Sequence, residues 1–162
     1  MPRFEGGTNP LKEEFRTDVG KVSDTDLEGQ YDRFFEACGD GRSLKRSGIK
    51  RLLPHVSEVL ADREEIVAMT SGVSKQGWCL IVLTGKRVLF LRKGLLSGLQ
   101  HVTVEVEKIS STSGKIGVTM GVLWITAGPE TWKIERIPKR AVMPFTHKVE
   151  DVMRRRVSGT EG

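Results

Sequence analysis

Hydrophobic and polar positions change their spacing twice along this chain. From residue 25, apolar side chains recur at helical intervals at Leu27, Tyr31, Phe34, Phe35 and Cys38, with Thr25 and Glu28 spaced as an N-cap and its reciprocal partner. Gly39-Asp40-Gly41 ends that helix. A second is predicted from Ser43, with Leu44, Ile49, Leu52, Leu53 and Val56 on one face and Arg46, Lys50 and Arg51 on the other. Pro54 is expected to kink or split it, which allows residues 55–61 to form a separate helical turn. From Glu65 the texture becomes that of strands: EIVAMTSGV, WCLIVLT, RVLFLR, HVTVEVEKI, ISSTS, GVLWITAG and TWKIERI. Ile109 falls out of phase with Val102, Val104 and Val106, which predicts a bend before the fifth strand. Gly128-Pro129-Glu130 reads as a tight turn. Helical spacing then returns at Ala141, Phe145, Val149 and Val152 or Met153, with Pro144 expected in the first turn, where its missing N–H has no intrahelical partner.

Residues 77–94, GWCLIVLTGKRVLFLRKG, break the alternation expected of a half-exposed hairpin, because apolar side chains fall on both faces. One face belongs to a core. Burying each side chain of the other is worth roughly 1.5 to 3 kcal/mol, so that face also needs a cover. The helices between residues 25 and 60 supply complementary surface, with Phe34, Phe35, Leu52 and Leu53 as contact candidates. The alternative cover is a second copy of the chain, giving a homo-oligomer through the outer face of residues 78–91.

Charge sharpens the division of the chain. Residues 1–41 carry 5 Lys/Arg and 10 Asp/Glu, and the remainder carries 21 and 11, so the net charge of +5 conceals an acidic head on a basic body. With 162 residues, 38% hydrophobic and 29% charged, the composition is that of a globular protein holding one domain and an appendage. The longest apolar run, residues 78–83, is too short to span a bilayer, and residues 1–22 contain no stretch resembling a signal peptide. The chain is therefore expected to be cytoplasmic. Cys38 and Cys79 fall in helix-like and strand-like segments, where packing as small apolar groups is favoured over a disulfide.

The order of DREEIVAMTSG, GWCLIVLTGKRVLFL, VEVEKISSTSGKIGVTMGVLWITAG and the helix containing FTHKVEDVM resembles the bacterial pleckstrin-homology-like domains of the YokE type over about residues 60–156. That resemblance implies a seven-stranded bent barrel with a C-terminal capping helix, here preceded by an N-terminal helical extension, making the fold mainly β with helices. It implies no enzymatic activity. The expected division is a flexible leader at 1–22, a helical extension at 23–61, the barrel and its helix at 62–158, and a tail at 159–162. Phosphoinositide-binding members of the superfold carry basic residues along strand 2. WCLIVLT has none, so no specific phosphoinositide is expected.

The sequence carries few residues in catalytic or metal-binding arrangements. His55, His101 and His147 lack metal-ligand spacing, and no Cys/His cluster accompanies them. GLLSG is not a nucleophile elbow, SGKIG lacks the frame of a phosphate loop, and the carboxylates Glu64, Glu65, Glu105 and Glu107 read as solvated strand-edge groups. Neither cofactor nor metal is expected. The leading functional class is a non-enzymatic module that binds a protein partner, ahead of a basic binder of anionic surfaces, membrane or nucleic acid, with an enzyme third. In an up-and-down arrangement the loops after strands 1, 3 and 6 share the end opposite Gly85. This gathers Lys75, Arg92, Lys93 and residues 128–130 onto one rim, where Leu95 and Leu96, between glycines, read either as residues that extend a strand or cap the barrel mouth or as an apolar anchor for a partner. Arg46, Lys50 and Arg51 form the alternative basic patch. Arg154-Arg155-Arg156 lacks aromatic interleaving, and Trp78, Trp124 and Trp132 are assigned to the core rather than to a stacking platform.

Overall fold

The computed structural model describes Gly29 and residues 52–94 and 98–161. Helix α1 spans Leu53–Val59, with Pro54 at its first turn, where the absent N–H costs nothing, so the proline starts a helix rather than kinking one. Seven strands follow: β1 (Ile66–Ser74), β2 (Gly77–Thr84), β3 (Arg87–Gly94), β4 (Gly98–Glu105), β5 (Ile109–Ile116), β6 (Met120–Ala127) and β7 (Glu130–Pro138). Helix α2, Lys139–Glu161, completes the described chain. It begins five residues before Pro144, one turn earlier than the sequence suggests. The exposed proline therefore leaves the carbonyl of exposed Arg140 without its helical N–H.

All seven strands join one antiparallel sheet in the order β4-β3-β2-β1-β7-β6-β5. The expected barrel does not form: β4 and β5 lie at opposite edges and do not pair, and β1 meets β7 through a single pair, Val73 with Glu135. The reason lies in the connection between β4 and β5. A hairpin there would have paired the two strands, but residues Val106–Lys108 form a 3-10 turn whose first N–H donates to the Lys86 carbonyl at 2.8 Å, turning a corner instead. This corner is the bend predicted before Ile109. A register shift between Ile109 and Ser111 adds to it.

Helix α2 packs over the main core, setting Val142, Phe145 and Val149 against Leu123, Ile125 and Ile137. Two glycines let it approach. A Cβ at Gly114 would lie 2.7 Å from Val142 Cγ1, and one at Gly121 would also collide with Val142, so the valine sits in a recess that side chains would fill.

The β2–β3 hairpin is apolar on both faces because it separates two cores. Ile81, Leu83, Val88 and Phe90 face the main core. Leu80, Val82, Leu89 and Leu91 face a second cluster, where Leu52, Val56 and Leu60 of the α1 segment pack with Met69. All four outward hairpin residues are fully buried within the single chain, so no second copy is required to cover them. Of the other contact candidates, Phe34, Phe35 and the Leu53 side chain lie outside what the structure describes.

Glu64 corrects the reading of its carboxylate as solvated. It is buried, accepts from Arg87 Nε and Nη2 at 2.8 Å each, from Thr84 Oγ1 at 2.7 Å and from the Ala61 N–H at 2.8 Å. Arg87 Nη2 also donates to the Val59 carbonyl at 2.9 Å. The Thr-Gly-Lys-Arg turn thus supplies two of the groups that hold a buried carboxylate. Burial opposes its ionisation, but the bonds from Arg87, Ala61 and Thr84 outweigh that cost and lower its pKa to about 2.

Candidate functional site

One end of the open sheet forms a cleft of about 1260 Å³. The β1–β2 turn brings Lys75 and Gln76, the end of β3 brings Arg92, and the β6–β7 turn brings Gly128, Pro129 and Glu130. The convergence of these two turns with the end of β3 is the one expected from strand order. Ser74 shapes the first turn, its Oγ accepting from the Gln76 N–H at 3.2 Å and donating to the Gly77 carbonyl at 3.3 Å. Gly77 takes φ 118°, which disfavours a side chain there.

The floor is apolar. Cys79, Phe90, Val104 and Ile134 are buried, and the Phe90 and Trp132 rings lie nearly parallel, 15° apart, with centroids separated by 6.4 Å. Burial pushes the Cys79 thiol up to about 11 despite the bond to Ser74 and the nearby charge of Arg92, so at neutral pH it is a thiol and a poor nucleophile.

The walls carry cations. Lys75, Arg92 and Lys133 line the cleft, and among the described residues none forms an ion pair. Arg92 Nη1 donates to the Gln76 carbonyl at 3.1 Å, and its Nε is buried with no partner among the described residues. Lys108 lies 3.6 Å from Glu105, and Glu130 is the remaining anion in the lining. No group of three or more His, Cys, Asp or Glu among the described residues is arranged to hold a metal. No described helix is long and apolar enough to cross a membrane.

Of the rim residues expected from sequence, Lys75 and Arg92 therefore share the cleft with residues 128–130. Lys93 lies in β3 opposite Leu99. Leu95, Leu96 and the alternative patch Arg46, Lys50 and Arg51 fall outside the described residues. Sequence reasoning missed Lys133 and the cleft-facing side of β4; of the tryptophans it assigned to the core, Trp132 does pack against the main core, and Trp78 does not. Trp78 is 37% exposed at the end of β2, while Trp124 and Trp132 are half-buried. The signal was available for Trp124, which alternates with buried Leu123 and Ile125. In the C-terminal basic run Arg154 pairs with Asp151 and Arg156 approaches Glu107 at 3.7 Å, so that run is partly neutralised.

A seven-stranded antiparallel sheet, bent around an apolar core and followed by one packed C-terminal helix, defines a pleckstrin-homology-like domain. Residues 60–151 match the family described as Bacterial PH domain, and the chain belongs to that family. PH-like domains are a non-catalytic family. The chain is similar to the crystal structure of a pleckstrin homology domain from Shewanella amazonensis SB2B, with 18% identity over 65% of this chain and 96% of that one and a TM-score of 0.44. It is also similar to a DUF1696 family protein with a pleckstrin-homology domain from Shewanella loihica PV-4, with 11% identity over 65% and 92% of the two chains and a TM-score of 0.46. A third similar structure is the DH/PH domain of human ARHGEF11 in its ternary complex with human RhoA and its inhibitor. There the identity is 12%, 94% of this chain and 49% of that one are covered, and the TM-score is 0.44. No curated protein matches the chain.

Proposed function

We propose that this protein is a non-enzymatic interaction module that binds a protein partner at the open cleft, and that within its family it is of the YokE type, as the L-T-G-K-R hairpin and the strands after it suggest. The observation that carries the proposal is the pairing of an aromatic floor, Phe90 and Trp132, with Arg92, a cation that has no carboxylate partner among the described residues. Protein interfaces draw on this combination, aromatic area for affinity and arginine for orientation. Lys93, Leu95 and Leu96 extend the same surface in this proposal, the leucines as an apolar anchor beside the cations.

The experiment is affinity capture at moderate salt with the wild type, Lys75→Glu/Arg92→Glu, Leu95→Ser/Leu96→Ser, and Lys148→Glu on the exposed side of α2 as a control. A protein retained by the wild type and the control is expected to be lost from both cleft variants, with melting temperatures unchanged. Identical capture by the wild type and all three variants would remove the cleft from consideration. Binding to a membrane or nucleic acid through phosphates, the second reading, is favoured by the same unpaired cations. It predicts instead that affinity falls roughly 40-fold between 50 and 200 mM salt, the loss for three cations each neutralising a phosphate.

A further inference from the structure

Among the described residues, no strand pairs with the outer edge of β4, which borders the cleft. Among the described strands β4 pairs only with β3, and its sequence, GLQHVTVE, contains no Lys, Arg or Pro, the residues that usually guard a free edge. The opposite edge differs, because β5 carries Lys115 and lies under α2. Val102 shares a face with buried Val104 and lines the cleft, yet it is 41% exposed. An aliphatic side chain on the inward face of a strand stays this exposed when nothing lies alongside it. Across the cleft, Lys75, Arg92 and Lys133 outnumber Glu130, while Lys108 and Glu105 neutralise each other.

We infer that the occupant of this cleft is an extended acidic segment of a partner protein, which adds as a strand along the edge of β4 that no described strand occupies. The inference rests on the cleft being the binding site proposed above. Main-chain hydrogen bonds to β4 give such a segment its affinity, and alternate side chains give it specificity. One set faces inward over Val102 toward the Phe90–Trp132 rings and calls for an apolar residue. Carboxylates on the same segment meet Lys75, Arg92 and Lys133. A second copy of this chain is a poorer occupant, since pairing β4 with β4 would bring two such cation sets together.

The test is selection of 12-residue peptides from a displayed random library against the full chain, followed by synthesis of the enriched sequences. The expected result is enrichment of Asp and Glu around one aromatic or aliphatic residue, with slowed amide exchange at residues 101–105 in the complex. N-methylation of alternate peptide nitrogens is expected to weaken binding at least tenfold, as is Lys75→Glu/Arg92→Glu. Peptides whose affinity survives N-methylation at every position, yet falls with the charge reversal, would overturn strand addition and leave the cleft as a binding site. Peptides indifferent to the charge reversal and protecting other strands would overturn both. Absence of any enrichment, or self-association of the free protein with protection at 101–105, would also overturn the acidic-segment inference, the latter in favour of a second copy.

Discussion

Glu64→Gln is expected to destabilise the protein by about 3 to 5 kcal/mol at pH 7, because it removes one partner of a buried ion pair and leaves Arg87 with an uncompensated charge. Glu64 is 4% exposed and accepts four hydrogen bonds, and the Arg87 side chain is 21% exposed, so solvent screens the pair weakly. The pH dependence has a fixed sign. The folded-state pKa is about 2 against an ordinary value of 4.5, so the native state holds this proton less readily than the unfolded chain. Stability from this group is complete above pH 4.5 and drains away as pH falls from 4.5 through 2. The displacement amounts to roughly 3 kcal/mol. Urea denaturation at pH 7 and at pH 3 checks both statements: the gap between wild type and Glu64→Gln narrows at the lower pH. A gap that is absent at pH 7, or as wide at pH 3, would show that the carboxylate does not hold α1 to the β2–β3 turn.

The second large effect belongs to the cover over the outer face of the hairpin. Leu52, Val56 and Leu60 are at most 3% exposed and pack on Leu80, Val82, Leu89 and Leu91. Replacing all three by Ser is expected to cost roughly 5 kcal/mol or more, since each buried aliphatic side chain is worth about 1.5 to 3 kcal/mol. It also uncovers an apolar patch that promotes association. Thermal unfolding and sedimentation velocity provide the measurement, with a lowered melting temperature and new oligomers expected. A triple variant that stays monomeric at wild-type stability would mean that something other than α1 shields this face.

Much of the fold is legible in the sequence because the strands are short, strongly patterned and separated by clear turn residues. Thr84-Gly85-Lys86, Gly128-Pro129 and the phase slip at Ile109 mark real corners. The two-faced hydrophobicity of residues 78–91 likewise announced a second apolar layer. What remained hidden depends on distant pairs. Whether the sheet closes is decided by the path of Val106–Lys108, and a local pattern that predicts a bend does not say whether β4 and β5 meet after it. The burial of Glu64 depends on Thr84 and Arg87, 20 and 23 residues away, and a Glu-Glu pair at a strand entrance looks solvated without them. At the candidate site, strand order was enough to bring Lys75, Arg92 and residues 128–130 together. Lys133 and the open side of β4 required the sheet to be known as open.

The hairpin of β2 and β3 stands as a common wall between two apolar layers, with Ile81, Leu83, Val88 and Phe90 on one side and Leu80, Val82, Leu89 and Leu91 on the other. Neither layer can come apart without stripping one side of that wall, and a hairpin stripped on one side holds its other side less firmly. The two layers are therefore coupled in unfolding. A calorimetric scan is expected to show one transition whose van't Hoff and calorimetric enthalpies agree, with the amides of residues 80–91 exchanging only through global opening. The segment around α1 then belongs to the same cooperative unit as the sheet, and damage to either layer is felt by the whole domain.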